Sequence, residues 1–179
     1  GGLVALRFAA SFPERTMALV VASTPAPGWQ LRPRHQLYAR LPWIFGPLFL
    51  AEAPWRLRAE MAAALPDWRA RWAFTRAALR TFTIAPMPLS AMAARARLIE
   101  RLDMRADCAR ISAPTLVVTG ESQLDHVVPV ERSSEYVGLV RGARGAILER
   151  TGHAGTMTRP DAFATMVHEF VNRARDAAA

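Results

Sequence analysis

Two short apolar runs set the terms for this 179-residue chain. Residues 17–22 read MALVVA and residues 115–119 read TLVVT. Neither alternates polar with apolar and both are shorter than an ordinary helix, so each reads as a strand covered on both faces. A third run, residues 146–150 (AILER), continues the series. Helical stretches lie around these runs. Residues 3–11 are stopped by Pro13, residues 130–140 follow a loop, and residues 160–175 place Phe163, Met166, Val167, Phe170 and Val171 on one face. Strands alternating with helices predict an α/β fold, a parallel sheet flanked by helices.

Residues 29–105 break the alternation. All five tryptophans fall there, prolines recur at 33, 42, 47, 54, 66, 86 and 88, and helical stretches at 55–65 and 67–81 sit between them. No strand stands out, so this part reads as an inserted all-helical segment whose tryptophans read mainly as packing, with some of them at the mouth of a pocket. The domain plan is therefore a core of residues 1–28 and 106–179, with residues 29–105 inserted into it. Charge divides the chain at the same places. The insertion holds 13 arginines against five acidic residues, while the remainder holds ten of each. The absence of lysine points to a GC-rich coding bias. The arginine excess reads first as a solvated face and second as an attractor for an anionic substrate, an acidic partner or a membrane surface. No base-reading motif accompanies it, which disfavours a nucleic-acid partner. The longest apolar run, residues 41–51, is too short to span a bilayer and carries Pro42 and Pro47, so no integral membrane segment is expected. With 51% hydrophobic residues the chain reads as globular. One cysteine, Cys108, excludes an internal disulfide and fits a reducing, cytoplasmic setting in a bacterium.

In parallel sheets the chemistry gathers at the carboxyl ends of the strands. The loops predicted there carry Ser23 and Thr24, then Asp125, then His153. An acid loop followed by a histidine loop is an acid–base pair awaiting a nucleophile: His153 takes the nucleophile's proton, and Asp125 holds the imidazole tautomer and stabilises the imidazolium. Ser23 and Thr24 follow a strand without a glycine elbow, and Cys108 precedes a strand, at its wrong end. Glu121 is the rival acid. His126 reads as solvent-facing, and His35 and His168 as structural or surface groups. Ser23, Thr24 and Trp29 are candidate pocket lining. No cofactor and no metal are expected.

Three segments, GGLVALRFAASFPERTMALVVAST, PTLVVTGESQLDHVVPV and LERTGHAGTMTRPDAF, resemble the second half of the α/β-hydrolase fold family. In that family a G-x-S-x-G-G elbow precedes a helix of this kind. Gly1 and Gly2 match the elbow's last two glycines, Asp125 matches the acid of the G…D-x-V-V-P loop, and His153 the histidine of the G-H loop. Asp125 stands five residues after Gly120, where the family commonly places its acid three after. Gln123 and Leu124 are the apparent insertion.

The resemblance implies the C-terminal part of such a fold, beginning just after the elbow, with residues 29–105 as its cap. It implies a nucleophile two residues before Gly1, so that this chain alone is a fragment without turnover. The implied activity is serine-type hydrolysis of a small-molecule ester through an acyl-enzyme. Two alternatives stand beside it. One is an aspartate nucleophile, as in haloalkane dehalogenases and epoxide hydrolases; a single cap tyrosine, Tyr38, argues against the epoxide branch. The other is a non-catalytic ligand-binding relative.

Overall fold

The computed structural model describes residues 1–86 and 88–177. Met87 of the insertion and the last two residues of the 106–179 segment lie outside the described residues. The chain opens with α1 (Gly2–Ser11), a short 3-10 turn (Pro13–Arg15) and β1 (Leu19–Ala22). Five helices follow: α2 (Pro33–Arg40), α3 (Pro42–Ala51), α4 (Ala53–Ala64), α5 (Trp68–Ile84) and α6 (Leu89–Glu100). The alternation then resumes with α7 (Arg105–Cys108), β2 (Thr115–Thr119), α8 (Val130–Ser133), α9 (Glu135–Leu139), β3 (Arg144–Ile147), α10 (Gly155–Thr158) and α11 (Pro160–Asp176).

The strands form one parallel sheet in the order β1-β2-β3, with Val21 opposite Val117 and Val117 opposite Gly145. Successive side chains on a strand point to opposite faces, and both faces are covered. Leu19, Val21 and Val117 pack with Leu6 and Ala9 of α1, Cys108 of α7, Tyr136 of α9, and Met104 and Ile111. Leu116 and Val118, with Val20 and Ala22, pack against Phe163, Met166 and Phe170 of α11. That is why TLVVT has no polar position: all five residues are buried.

Three elements depart from the sequence reading. The third strand lies at residues 144–147, not 146–150. Its ladder ends where Leu148 donates to the Thr119 carbonyl (2.8 Å), and Glu149 and Arg150 then turn the chain away, Arg150 at φ 60°. The helix expected over residues 130–140 is two short helices that meet at Ser134. They serve as ties: Ser133 Oγ donates to the Thr24 carbonyl (2.9 Å) and the buried Tyr136 hydroxyl to the Pro25 carbonyl (2.7 Å). Both bonds hold the loop after β1. Finally, the tryptophans do not fill the interior of the insertion. Trp43, Trp55, Trp68 and Trp72 are all exposed, and the small apolar centre there is Leu31, Ala39 and Ala93. Among the described residues no helix is long and apolar enough to cross a membrane.

Candidate active site

The acid and histidine loops leave adjacent parallel strands and meet at their carboxyl ends. Asp125 closes a turn in which its own N–H and that of Leu124 donate to the Glu121 carbonyl. The two residues that lengthen this loop, Gln123 and Leu124, form that turn. Asp125 Oδ1 accepts from the backbone N–H groups of Val127 and Val128, each at 2.9 Å. This leaves Oδ2 facing His153, whose Nδ1 lies 3.8 Å away. The Asp125 side chain is almost wholly buried. His153 Nδ1 is buried too and has no hydrogen-bond partner, while about a third of the His153 side chain stays open to solvent. The loops come this close because residue 152 is glycine. A Cβ there would stand 2.4 Å from the Leu124 carbonyl oxygen and 2.9 Å from the Asp125 nitrogen.

The rival acid has a different task. Glu121 Oε1 accepts from the Arg150 N–H (2.7 Å), and the Glu121 N–H donates to the Thr151 carbonyl (2.8 Å). Glu121 thus binds the acid loop to the histidine loop through backbone groups and does not face His153 in any recorded contact.

A cavity of about 870 Å³ opens between these loops and helices α2, α3, α4 and α6, with His153 in its wall. Trp29 lines it. Ser23 and Thr24, expected beside it, do not. Thr24 is buried under α1, where a Cβ on Gly2 would lie 2.0 Å from its Oγ1, so residue 2 must be glycine for helix and loop to meet. Ser23 sits at φ 44° against the histidine loop, a strained conformation for a serine. Gly1 caps α1, its carbonyl accepting from the Ala5 N–H.

Two histidines read as bystanders also line the cavity. His126 is exposed at its wall, as expected of a solvent-facing group, and His35 is half-buried in the helical part. Burial lowers the His35 pKa below its ordinary value, and Arg56, Arg32 and Arg34 push it the same way. His168 stays on the exposed face of α11. Cys108 is fully buried in the sheet core, and burial, with Asp107 beside it, pushes its thiol up to about 11, so it behaves as packing.

Much of the polar lining comes from the insertion. Glu52 accepts from Arg34 and from Arg56 (3.1 Å), Tyr38 accepts from Arg34 Nε (2.6 Å), and the Arg56 guanidinium lies over the Phe49 ring at 4.3 Å. Arg32, Arg34 and Arg56 of the insertion, joined by Arg132 of α8, line the cavity against one carboxylate, Glu52. Sequence reasoning placed the arginine excess in this segment but not its cavity-facing subset, because facing depends on how the helices cross. Among the described residues no group of three potential ligands could hold a metal.

A parallel sheet with an acid loop and a histidine loop at its carboxyl ends is the architecture of one large class of hydrolytic enzymes. The sequence profile of the alpha/beta hydrolase family matches residues 1–166, and the chain belongs to that family. It is similar to a protein assigned as carbamate hydrolase RutD of Pseudomonas savastanoi pv. phaseolicola, at 32% identity over 78 residues, 44% of this chain and 29% of that protein. It is also similar to the 2-hydroxy-6-oxo-6-(2'-aminophenyl)hexa-2,4-dienoic acid hydrolase of Metapseudomonas resinovorans, at 34% identity over 67 residues, 37% of this chain and 22% of that protein. Among solved structures it shares the fold of the enol-lactonase from Burkholderia xenovorans LB400, with a TM-score of 0.72 at 21% identity. That match covers 96% of this chain and 62% of the enzyme, so the chain spans less than two thirds of that relative.

Proposed function

We propose that this chain supplies the acid and the base of a serine-type hydrolase that cleaves small-molecule carboxylic esters. The nucleophile on this reading stands two residues before Gly1, at the elbow whose last two glycines are Gly1 and Gly2. One observation carries the proposal. His153 Nδ1 is buried, unpartnered and 3.8 Å from an Asp125 oxygen, on the wall of the large cavity. A buried imidazole nitrogen without a partner is rare in a finished structure. A small closure brings it to hydrogen-bond distance of Asp125, and catalytic contacts commonly tighten in this way when substrate binds.

The chemistry then runs in two halves. The serine Oγ bonds to the acyl carbon while its proton passes to His153 Nε2. Asp125 stabilises the imidazolium through Nδ1–H, and the imidazolium returns the proton to the leaving alkoxide. Water repeats the sequence on the acyl-enzyme and releases the acid. Residues 29–105 act as a cap over the site, closing it from water. The cavity's apolar wall and its arginines favour a substrate with an apolar body and an anionic group.

In the intact protein, His153→Ala should lower kcat by about three orders of magnitude or more and leave the fold in place. Ester turnover at the parental rate by that variant overturns the assignment. An aspartate at the nucleophile position replaces the acyl-enzyme reading and moves the first assays to halides and epoxides.

A further inference from the structure

Glu60 of α4 is fully buried, although it comes from the inserted helices and not from the sheet. Its carboxylate reaches the histidine loop. Oε2 accepts from the Ala154 N–H at 3.0 Å, and Oε1 accepts from Thr158 Oγ at 3.3 Å. Further along the same helix, the Ala63 carbonyl accepts from Arg150 twice, from Nε at 3.0 Å and from Nη2 at 2.8 Å. Arg150 and Ala154 flank Thr151, Gly152 and His153. Helix α4 therefore holds the loop on both sides of His153.

A buried carboxylate with two neutral donors is a costly way to seat a helix, and an apolar side chain would serve packing better. The cost makes sense if the group has a second task. Ala154 is the residue next to His153, so the direction of its N–H and the course of the backbone through His153 are set together. We infer that Glu60 is a positioning residue for the base: it fixes the loop so that the His153 ring presents Nδ1 to Asp125, and it makes that geometry depend on α4 being seated. The inference rests on the reading of His153 as the base.

Two substitutions in the intact enzyme separate reach from charge. Glu60→Gln keeps the reach. Its amide oxygen can accept from Ala154, and its amide nitrogen can donate to Thr158 Oγ1 once that hydroxyl turns its proton from residue 60 to the Ala154 carbonyl, 3.2 Å away. Glu60→Asp keeps the charge and loses one methylene of reach. We expect kcat within about threefold of the parent for Glu60→Gln. For Glu60→Asp we expect a fall of about tenfold or more with KM unchanged, since small misplacements of a catalytic group carry penalties of that size. The acidic limb of kcat/KM, which reports the base in free enzyme, should also move to lower pH as the imidazolium loses Asp125. The His153 imidazole proton resonance should shift in Glu60→Asp and not in Glu60→Gln.

Parental kcat and pH profile in Glu60→Asp overturn the inference. So does a change confined to KM or Tm, which is what a merely structural tie between helix and loop predicts, and so does a loss in Glu60→Gln as large as that in Glu60→Asp, since the glutamine keeps the reach. The two readings fail separately. An active His153→Ala enzyme removes the base assignment, whereas an inactive His153→Ala beside an unaltered Glu60→Asp removes only the positioning role.

Discussion

Strand β2 and helix α5 are both rich in apolar residues, yet every residue of β2 is buried and none of the 17 residues of α5 is. The contrast holds for the two halves of the molecule. In the sheet half the pleat sends side chains alternately to two faces, and each face has its own cover, α1 with α7 and α9 on one side and α11 on the other. Hydrophobicity there has one destination. In the insertion the helices surround a space instead of a core. Trp55 is about two-thirds exposed and lines the cavity, while Trp68, Trp72, Leu79 and Ile84 face outward. An apolar residue predicts burial only where the element's geometry supplies a cover for the face on which it falls.

The sharpest way to break this contrast is to empty the sheet core. Leu6 is fully buried between α1 and β1. Leu6→Ala should cost about 2–5 kcal/mol, the range for truncating a buried leucine with little room to collapse. Urea denaturation of the intact protein measures it. A loss below about 1 kcal/mol would mean that the sheet half is packed no more tightly than the insertion.

What the sequence disclosed follows the same division. The run TLVVT coincides with β2 residue for residue, because burial on both faces leaves no polar residue to blur its ends. The acid and histidine loops come out side by side, since parallel strands in one sheet deliver their following loops to one edge. Contacts that depend on distant partners were not legible. Glu60 sits in RLRAEMAAA, where it looks like one more polar residue on a helix face; its partners are Ala154, just before α10, and Thr158, at the end of α10, in a different half. Glu121 looked like a catalytic rival because its type and place suited the chemistry, and only its bond to the Arg150 N–H shows it holding two loops together. The third strand was read too late in the chain because AIL is more apolar than RG, although a strand at the margin of a sheet needs little apolar content and β3 is mostly exposed.

A titration sharpens the comparison at a smaller scale. His35 packs against Phe49 and Tyr38 in the insertion, with Arg32 and Arg34 on its own stretch, Arg56 on α4, and Glu52 paired to two of these cations. Burial first and the arginines second lower its pKa from the ordinary 6.5. The unfolded chain therefore takes up a proton below about pH 6.5 before the folded chain does, and stability should fall as pH drops through that window. His35→Phe should remove that part of the slope in pH-dependent melts; an unchanged slope assigns it to other groups. The same ring reports on the cavity. An anionic, non-hydrolysable substrate analogue should raise the His35 pKa, and a neutral analogue of the same shape should not. If both leave its NMR titration unmoved, the anionic-substrate reading falls while the acid–base assignment stands.

The smallest effect is expected on α5. Trp68 and Trp72 are each more than half exposed, and their helix carries no buried residue. Truncating an exposed side chain away from caps and networks typically changes stability by less than about 0.5 kcal/mol, so Trp72→Ala should melt like the parent in urea. Tryptophan is the residue that sequence reasoning most readily assigns to a core, which makes the substitution a direct test of the contrast. A loss as large as that of Leu6→Ala would show this face to be covered in the intact protein, and the difference between the two halves would then belong to how much of each is covered within this chain, not to how sheet and insertion are built. A parental melt leaves the insertion as helices organised around a cavity, which ties the Glu60 contact, where a buried insertion side chain bonds the sheet half, to function more than to packing.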